Sequence, residues 1–140
     1  MKNIKYKNIS FEVPKKWDDN TVIIWTGPIE GNITPSVVVA DSELPKGKSF
    51  ESYVTSEYND LIEEADNFVL HERNEYNVKG IACIKNKHSW RADGQRITQL
   101  QYNYLSDGII YTVTCTNSLE NFSKTEEIFE KIVTSFQILV

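Results

Sequence analysis

Residues 81–117, IACIKNKHSWRADGQRITQLQYNYLSDGIIYTVTCTN, carry two Asp-Gly pairs, Asp93-Gly94 and Asp107-Gly108, set between runs rich in β-branched and aromatic residues. An Asp-Gly pair accepts the positive φ angles of a tight two-residue turn, so this spacing predicts successive antiparallel hairpins. With Phe68 to Tyr76 before them, separated by Asn77-Val78-Lys79-Gly80, the runs Ile81 to Trp90, Gln95 to Ser106 and Ile109 to Asn117 predict a four-stranded meander. Along the last run Tyr111, Val113 and Cys115 fall on one face and Thr112, Thr114 and Thr116 on the other. That alternation belongs to a sheet covered on one side.

The cover is legible on both flanks. Upstream, Ser49 stands as an N-cap, with Glu51 favouring the positive end of the helix dipole. Phe50, Tyr53, Val54, Leu61, Ile62 and Ala65 then recur at three- and four-residue spacing, predicting an amphipathic helix to about Asp66. Downstream, a second helix starts near Ser123 and carries Ile128, Phe129, Ile132 and Val133 at helical spacing. Further upstream, Ile9 to Val13 alternates at period two and stops at Pro14, while Thr21 to Trp25 and Ser36 to Ala40 are apolar at nearly every position. The fold class expected is α+β, an antiparallel β-sheet flanked by helices, with residues 1–140 as one domain.

Composition narrows the function. Apolar residues make up 40% and charged residues 25% of the 140 positions, which suits a chain that buries a core unaided. A net charge of −5, with no basic stripe to displace phosphate counterions, argues against nucleic acid as a partner. The start of the chain lacks the apolar run of an export signal, and no stretch approaches the roughly 20 apolar residues that span a bilayer. The expectation is a cytoplasmic protein, not itself membrane-embedded, with Cys83 and Cys115 as reduced thiols.

No catalytic constellation is present. His71 and His88 lie in predicted strands without a second histidine or cysteine at ligand spacing, and no phosphate-binding, dinucleotide or nucleophile-elbow motif occurs. The expectation is no enzyme, no cofactor and no metal. The anomaly lies in Thr21 to Trp25 and Ser36 to Ala40, which are apolar on both faces although an antiparallel sheet normally shows one polar face. Either a second helix, a loop or a dimer mate covers them, or they line a ligand groove. Gln99 and Gln101 share a strand face two residues apart, placed to hydrogen-bond a guest beside such a groove.

Several stretches in order carry a resemblance: Trp17-Asp18-Asp19-Asn20-Thr21; Pro35 to Asp41 with Leu44-Pro45-Lys46-Gly47; Phe50 with Tyr53-Val54; Phe68-Val69-Leu70-His71-Glu72-Arg73; Val78-Lys79-Gly80-Ile81-Ala82; and Gln99-Leu100-Gln101. From about Phe11 to Phe136 the sequence resembles the DcrB-like family, and within it the Eag chaperones of type VI secretion effectors. The resemblance implies a PsbP-like α/β/α sandwich. It also implies a cytosolic homodimer whose apolar sheet surface shields the N-terminal transmembrane helices of a secreted effector of the Rhs or PAAR kind. On that pattern Val22, Ile24 and Val38 match apolar groove positions and Gln101 the matching glutamine. The sequence departs from it at Leu100, where the family often has arginine, and at Glu57, which replaces a glutamine of the first helix. A charged Glu57 inside an apolar groove would be costly unless paired or protonated. The competing expectation is a structural or interaction protein whose apolar sheet face is simply a homodimer interface.

Overall fold

The computed structural model describes residues 1–29 and 31–139. In chain order the elements are β1 (Lys2–Tyr6), β2 (Ile9–Val13), β3 (Ile23–Thr26), β4 (Ser36–Glu43), α1 (Phe50–Glu64), β5 (Asp66–Val78), β6 (Ile81–Ala92), β7 (Gln95–Ser106), β8 (Ile109–Ser118) and α2 (Phe122–Ser135). Strands β3 to β8 form one six-stranded antiparallel sheet in the order β3-β4-β8-β7-β6-β5. The predicted meander is its larger part. Asp93 and Gly94 take φ angles of 49° and 79°, and Asp107 and Gly108 take 49° and 74°, the doubly left-handed turn that Asp-Gly was expected to make.

Directly opposed residues of antiparallel strands share a face, so the register sorts the side chains into two layers. Val39, Val113 and Tyr102 form one row, with Val37, Cys115 and Leu100 in the next. Helix α2 closes this layer, packing Phe122 and Phe129 into a core with Leu100, Val113 and Cys115. Lys87 of β6 reaches Glu126 of α2 at 3.2 Å. On the opposite layer α1 buries Phe50 and Val54 against Ile84 and Ile110. Its Tyr58 meets the rings of Phe68 and His88 edge-on, at centroid distances of 5.3 and 5.1 Å. The helices therefore lie on opposite faces of the sheet.

Helix α1 begins as expected, with the Ser49 hydroxyl accepting from the Ser52 amide at 3.1 Å. It stops at Glu64 because Ala65 turns to extended backbone and β5 begins at Asp66. Its contacts run from Ile110 and Leu105 to His88 and Phe68. This diagonal course meets β4 only near its end, at Ser42, and leaves β3, the start of β4 and the middle of β8 and β7 on that face open.

Two expectations change at the N-terminus. The strand Ile9 to Val13 forms, but it pairs with the unforeseen β1 in a separate two-stranded sheet. The strand expected over Thr21 to Trp25 is displaced to Ile23–Thr26, because the Asp19 carboxylate accepts from the Thr21 amide at 2.9 Å and holds the preceding residues in a turn.

Candidate binding groove

Ile24, Val38, Thr114, Gln101 and Asn86 form one continuous cross-strand row on the face that α1 covers only in part. Ile24 is 59% exposed, while Val38, Thr114 and Gln101 are half-buried and Asn86 is fully buried. The next row on this face contains Thr26, Ser36, Thr116, Gln99 and His88. The floor is thus uncharged: aliphatic at the β3 end, then hydroxyl- and amide-bearing towards β7. Strands stand about 4.8 Å apart, so three steps from Ile24 to Gln101 give a floor about 14 Å wide. An α-helix with its side chains is about 10–12 Å across.

The inner wall is α1. Its Tyr53 hydroxyl shares a hydrogen bond with Ser42 of β4 at 3.3 Å, which identifies the flank of the helix turned towards the groove. Glu57 lies one turn further on the same flank, exposed at the rim. Its charge stays in water and avoids the desolvation that burial in the floor would impose. Val22 precedes β3 and is 47% exposed, outside the strand register. Of the residues marked out by the sequence, Ile24, Val38, Gln99 and Gln101 are brought together, Glu57 stands at the edge, and Val22 is adjacent.

The two glutamines differ in how much of their hydrogen-bonding capacity is free. The Gln99 carbonyl oxygen takes the Trp90 indole at 3.0 Å and the His88 Nε2 at 2.8 Å, and its amide donates to Thr116 at 3.1 Å. Only one of its N–H bonds is left for a guest. Gln99 therefore ties β6, β7 and β8 together rather than standing free for a guest. Gln101 makes no side-chain hydrogen bond among the described residues.

Because the Gln99 oxygen can only accept, His88 must carry its proton on Nε2, leaving Nδ1 as an acceptor. Burial lowers the His88 pKa, so the ring is held neutral. Sequence reasoning missed the polar cluster around it: both amide atoms of Asn86, Nδ2 of Asn103, Nδ1 of His88 and the Tyr58 hydroxyl are buried with no partner among the described residues. Its signal was present in the alternation Asn86 and His88 on β6, beside Gln101 and Asn103 on β7. The other histidine joins Ser89 and Thr98 in a hydrogen-bonded chain, His71 Nε2 to Ser89 at 2.7 Å and Ser89 to Thr98 at 2.9 Å.

A cavity of about 850 Å³ lies on the other face, beside the end of α2, and is lined by Tyr76, Tyr102, Tyr104, Val133 and Phe136 among others. Its lining includes none of the binding residues expected from the sequence, Val22, Ile24, Val38, Glu57, Gln99 and Gln101. Among the described residues no group of His, Cys, Asp and Glu is placed to hold a metal ion, and no helix is long and apolar enough to cross a membrane.

A helix on each face of an antiparallel sheet, with part of one face left open, places the molecule among the PsbP-like α+β sandwiches. The solution structure of cyanobacterial PsbP (CyanoP) from Synechocystis sp. PCC 6803 matches at a TM-score of 0.60 and 12% identity, over 83% of this chain and 82% of that one. Within this class the chain belongs to the DcrB family, whose model matches residues 9–135.

A crystal structure from Pseudomonas aeruginosa, described as protein of unknown function PA94, putative regulator, matches at a TM-score of 0.83 and 18% identity. It covers 100% of this chain and 98% of that one. LpqN of Mycobacterium tuberculosis, described as involved in cell envelope biogenesis, matches at a TM-score of 0.58 and 12% identity, over 80% of each chain. By sequence, the chain is 25% identical over 85 residues to a protein of P. aeruginosa named Effector EagT6. That alignment covers 60% of this chain and 59% of the relative.

Proposed function

We propose that the protein is a cytoplasmic chaperone or adaptor of type VI secretion, whose open sheet face takes an apolar N-terminal helix of a secreted effector. The observation that carries this reading is Gln101, a side-chain amide without a partner among the described residues, set in an uncharged floor wide enough for one helix. A transmembrane helix held in water needs apolar contact along its length, and a polar residue on it needs a hydrogen bond such as it would find between helices in a membrane. Ile24 and Val38 supply the contact, and Gln101 supplies the hydrogen bond. Membership of the DcrB family and similarity to the protein named Effector EagT6 support an adaptor role.

The test is co-expression with the N-terminal apolar segment of a Rhs- or PAAR-type effector encoded beside this protein. The chaperone should keep the segment soluble and co-purify with it, and Ile24→Asp should abolish both. A segment equally soluble with and without the protein would overturn the reading.

A further inference from the structure

Helix α2 seats on the sheet through Phe122 and Phe129, and near its end a cavity of about 850 Å³ opens among the helix, the tail that follows it and strands β6 and β7. That volume lies within the range of small-molecule sites. Two of its lining residues, Tyr102 and Tyr104, are each only 5% exposed. A buried tyrosine hydroxyl ordinarily finds a partner, yet neither of these makes a hydrogen bond among the described residues. The fully enclosed polar atoms without partners belong to Tyr58, Asn86, His88 and Asn103, so the Tyr102 and Tyr104 oxygens keep access to the cavity that both residues line. Burial pushes the Tyr102 phenol up to about 12 and raises that of Tyr104 as well, so both hydroxyls keep their protons at neutral pH and can donate.

The rest of the lining narrows what they can donate to. The faces of the aromatic rings are already engaged: Tyr104 stacks with Tyr102 at a centroid distance of 6.3 Å and with Phe136 at 5.0 Å, and the Lys85 ammonium lies 5.8 Å from the centre of the Tyr102 ring. A guest ring therefore gains no free stacking platform. Ile81 and Val133 offer aliphatic wall instead, which suits a hydrocarbon chain. Lys79 and Glu130 of the lining are both exposed to water, so they weigh little against each other. Lys85 is its least exposed charge, and the Glu72 carboxylate that pairs with it at 3.4 Å stands outside the lining. An ammonium over Tyr102 together with two hydroxyl donors favours an anionic acceptor.

We propose that this cavity binds a free aliphatic carboxylate, with its chain against Ile81 and Val133 and its two oxygens accepting from the hydroxyls of Tyr102 and Tyr104. The cavity and the open groove lie on opposite faces of the sheet, so the two sites stand or fall separately.

Titration calorimetry of the whole chain with octanoate, decanoate and dodecanoate reads the site. Dodecanoate should bind at one equivalent, and each added methylene should tighten binding roughly threefold to fourfold. Tyr102→Phe with Tyr104→Phe removes only two oxygens that lack partners among the described residues, so the thermal midpoint should hold while affinity for dodecanoate falls roughly tenfold or more. Val133→Phe narrows the cavity from α2 with both hydroxyls in place, and should also weaken dodecanoate; it keeps the test open if the double variant fails to fold. Ile24→Asp, in the groove, should bind dodecanoate like the parent. No saturable binding of dodecanoate would overturn the proposal, as would equal affinities across the chain-length series, full affinity in the tyrosine double variant, or 1-octanol binding as tightly as octanoate. So would loss of dodecanoate binding in Ile24→Asp, which would put the chain in the groove, or binding to phosphatidylglycerol vesicles with none of the free acid.

Discussion

Ile24 of β3 and Gln101 of β7 stand in the same cross-strand row, joined through Val38 and Thr114. One end of that row is an aliphatic side chain open to water, and the other is an amide with no side-chain partner among the described residues. Neither arrangement benefits the isolated protein, since exposed isoleucine buries little area and an unpaired glutamine contributes no hydrogen bond. Both become favourable when a helix bearing mostly apolar residues lies across the row.

The two glutamines should separate stability from binding. Gln99→Ala removes the acceptor of two buried or half-buried donors, Trp90 Nε1 and His88 Nε2, and should destabilise the fold by about 1–3 kcal/mol. Gln101→Ala should leave the denaturant midpoint unchanged and weaken guest binding by about 1 kcal/mol, near fivefold. Parallel urea titrations and binding isotherms of the two variants check this; equal loss of stability in both would show that Gln101 is structural.

Asn86 offers a complementary case. Its two amide atoms are buried with no partner among the described residues, so Asn86→Leu, close in volume, should raise stability by about 1 kcal/mol or more. A lower melting temperature for this variant would show that Asn86 is hydrogen-bonded in solution.

Protonation of His88 should limit stability in acid. Its folded pKa is depressed by burial below the ordinary value of 6.5, while the unfolded chain titrates near that value. Below about pH 6.5 the unfolded state therefore binds the proton more readily, and stability falls as pH drops towards the folded pKa. His88→Gln, which can still donate to Gln99, should flatten this dependence in melts recorded between neutral and mildly acidic pH. An unchanged slope would assign the acid sensitivity to other groups.

Cys83 and Cys115 are free and buried, and desolvation pushes their thiols up to about 11 and about 12. The thiolate is the reactive form, so neither should react with a thiol reagent at pH 8 in the native protein, and both should react once it is unfolded. Rapid native labelling would mean that the core around Leu100 and Val113 opens readily.

Much of the sheet was legible because its turns are local. Asp93-Gly94, Asp107-Gly108 and the Ser49 cap each specify their geometry within a few residues. Strand β1 was not, because Lys2-Asn3-Ile4-Lys5-Tyr6 shows only two apolar side chains, and its apolar face emerges when Phe11 and Ile9 are set opposite them. At the candidate groove, Ile24, Val38 and Gln101 were named from residue type and resemblance, and the register sets them in one row. The role of Gln99 could not be read in this way, since its partners His88, Trp90 and Thr116 arrive from other strands, 9 to 17 residues away in sequence. Val22 was placed in a strand because β-branched residues continue through it, whereas the Asp19 turn delays the strand to Ile23.

The central claim is that a guest helix lies on one face of the sheet, and β3 allows that face to be tested one residue at a time. Ile24 points into the groove, while Ile23 and Trp25 point to the other side, and all three are exposed. A photo-crosslinking amino acid placed at each position in turn, with the effector's N-terminal segment co-expressed, should capture the guest from position 24 and not from 23 or 25. Capture from 23 or 25 with none from 24 would contradict the account.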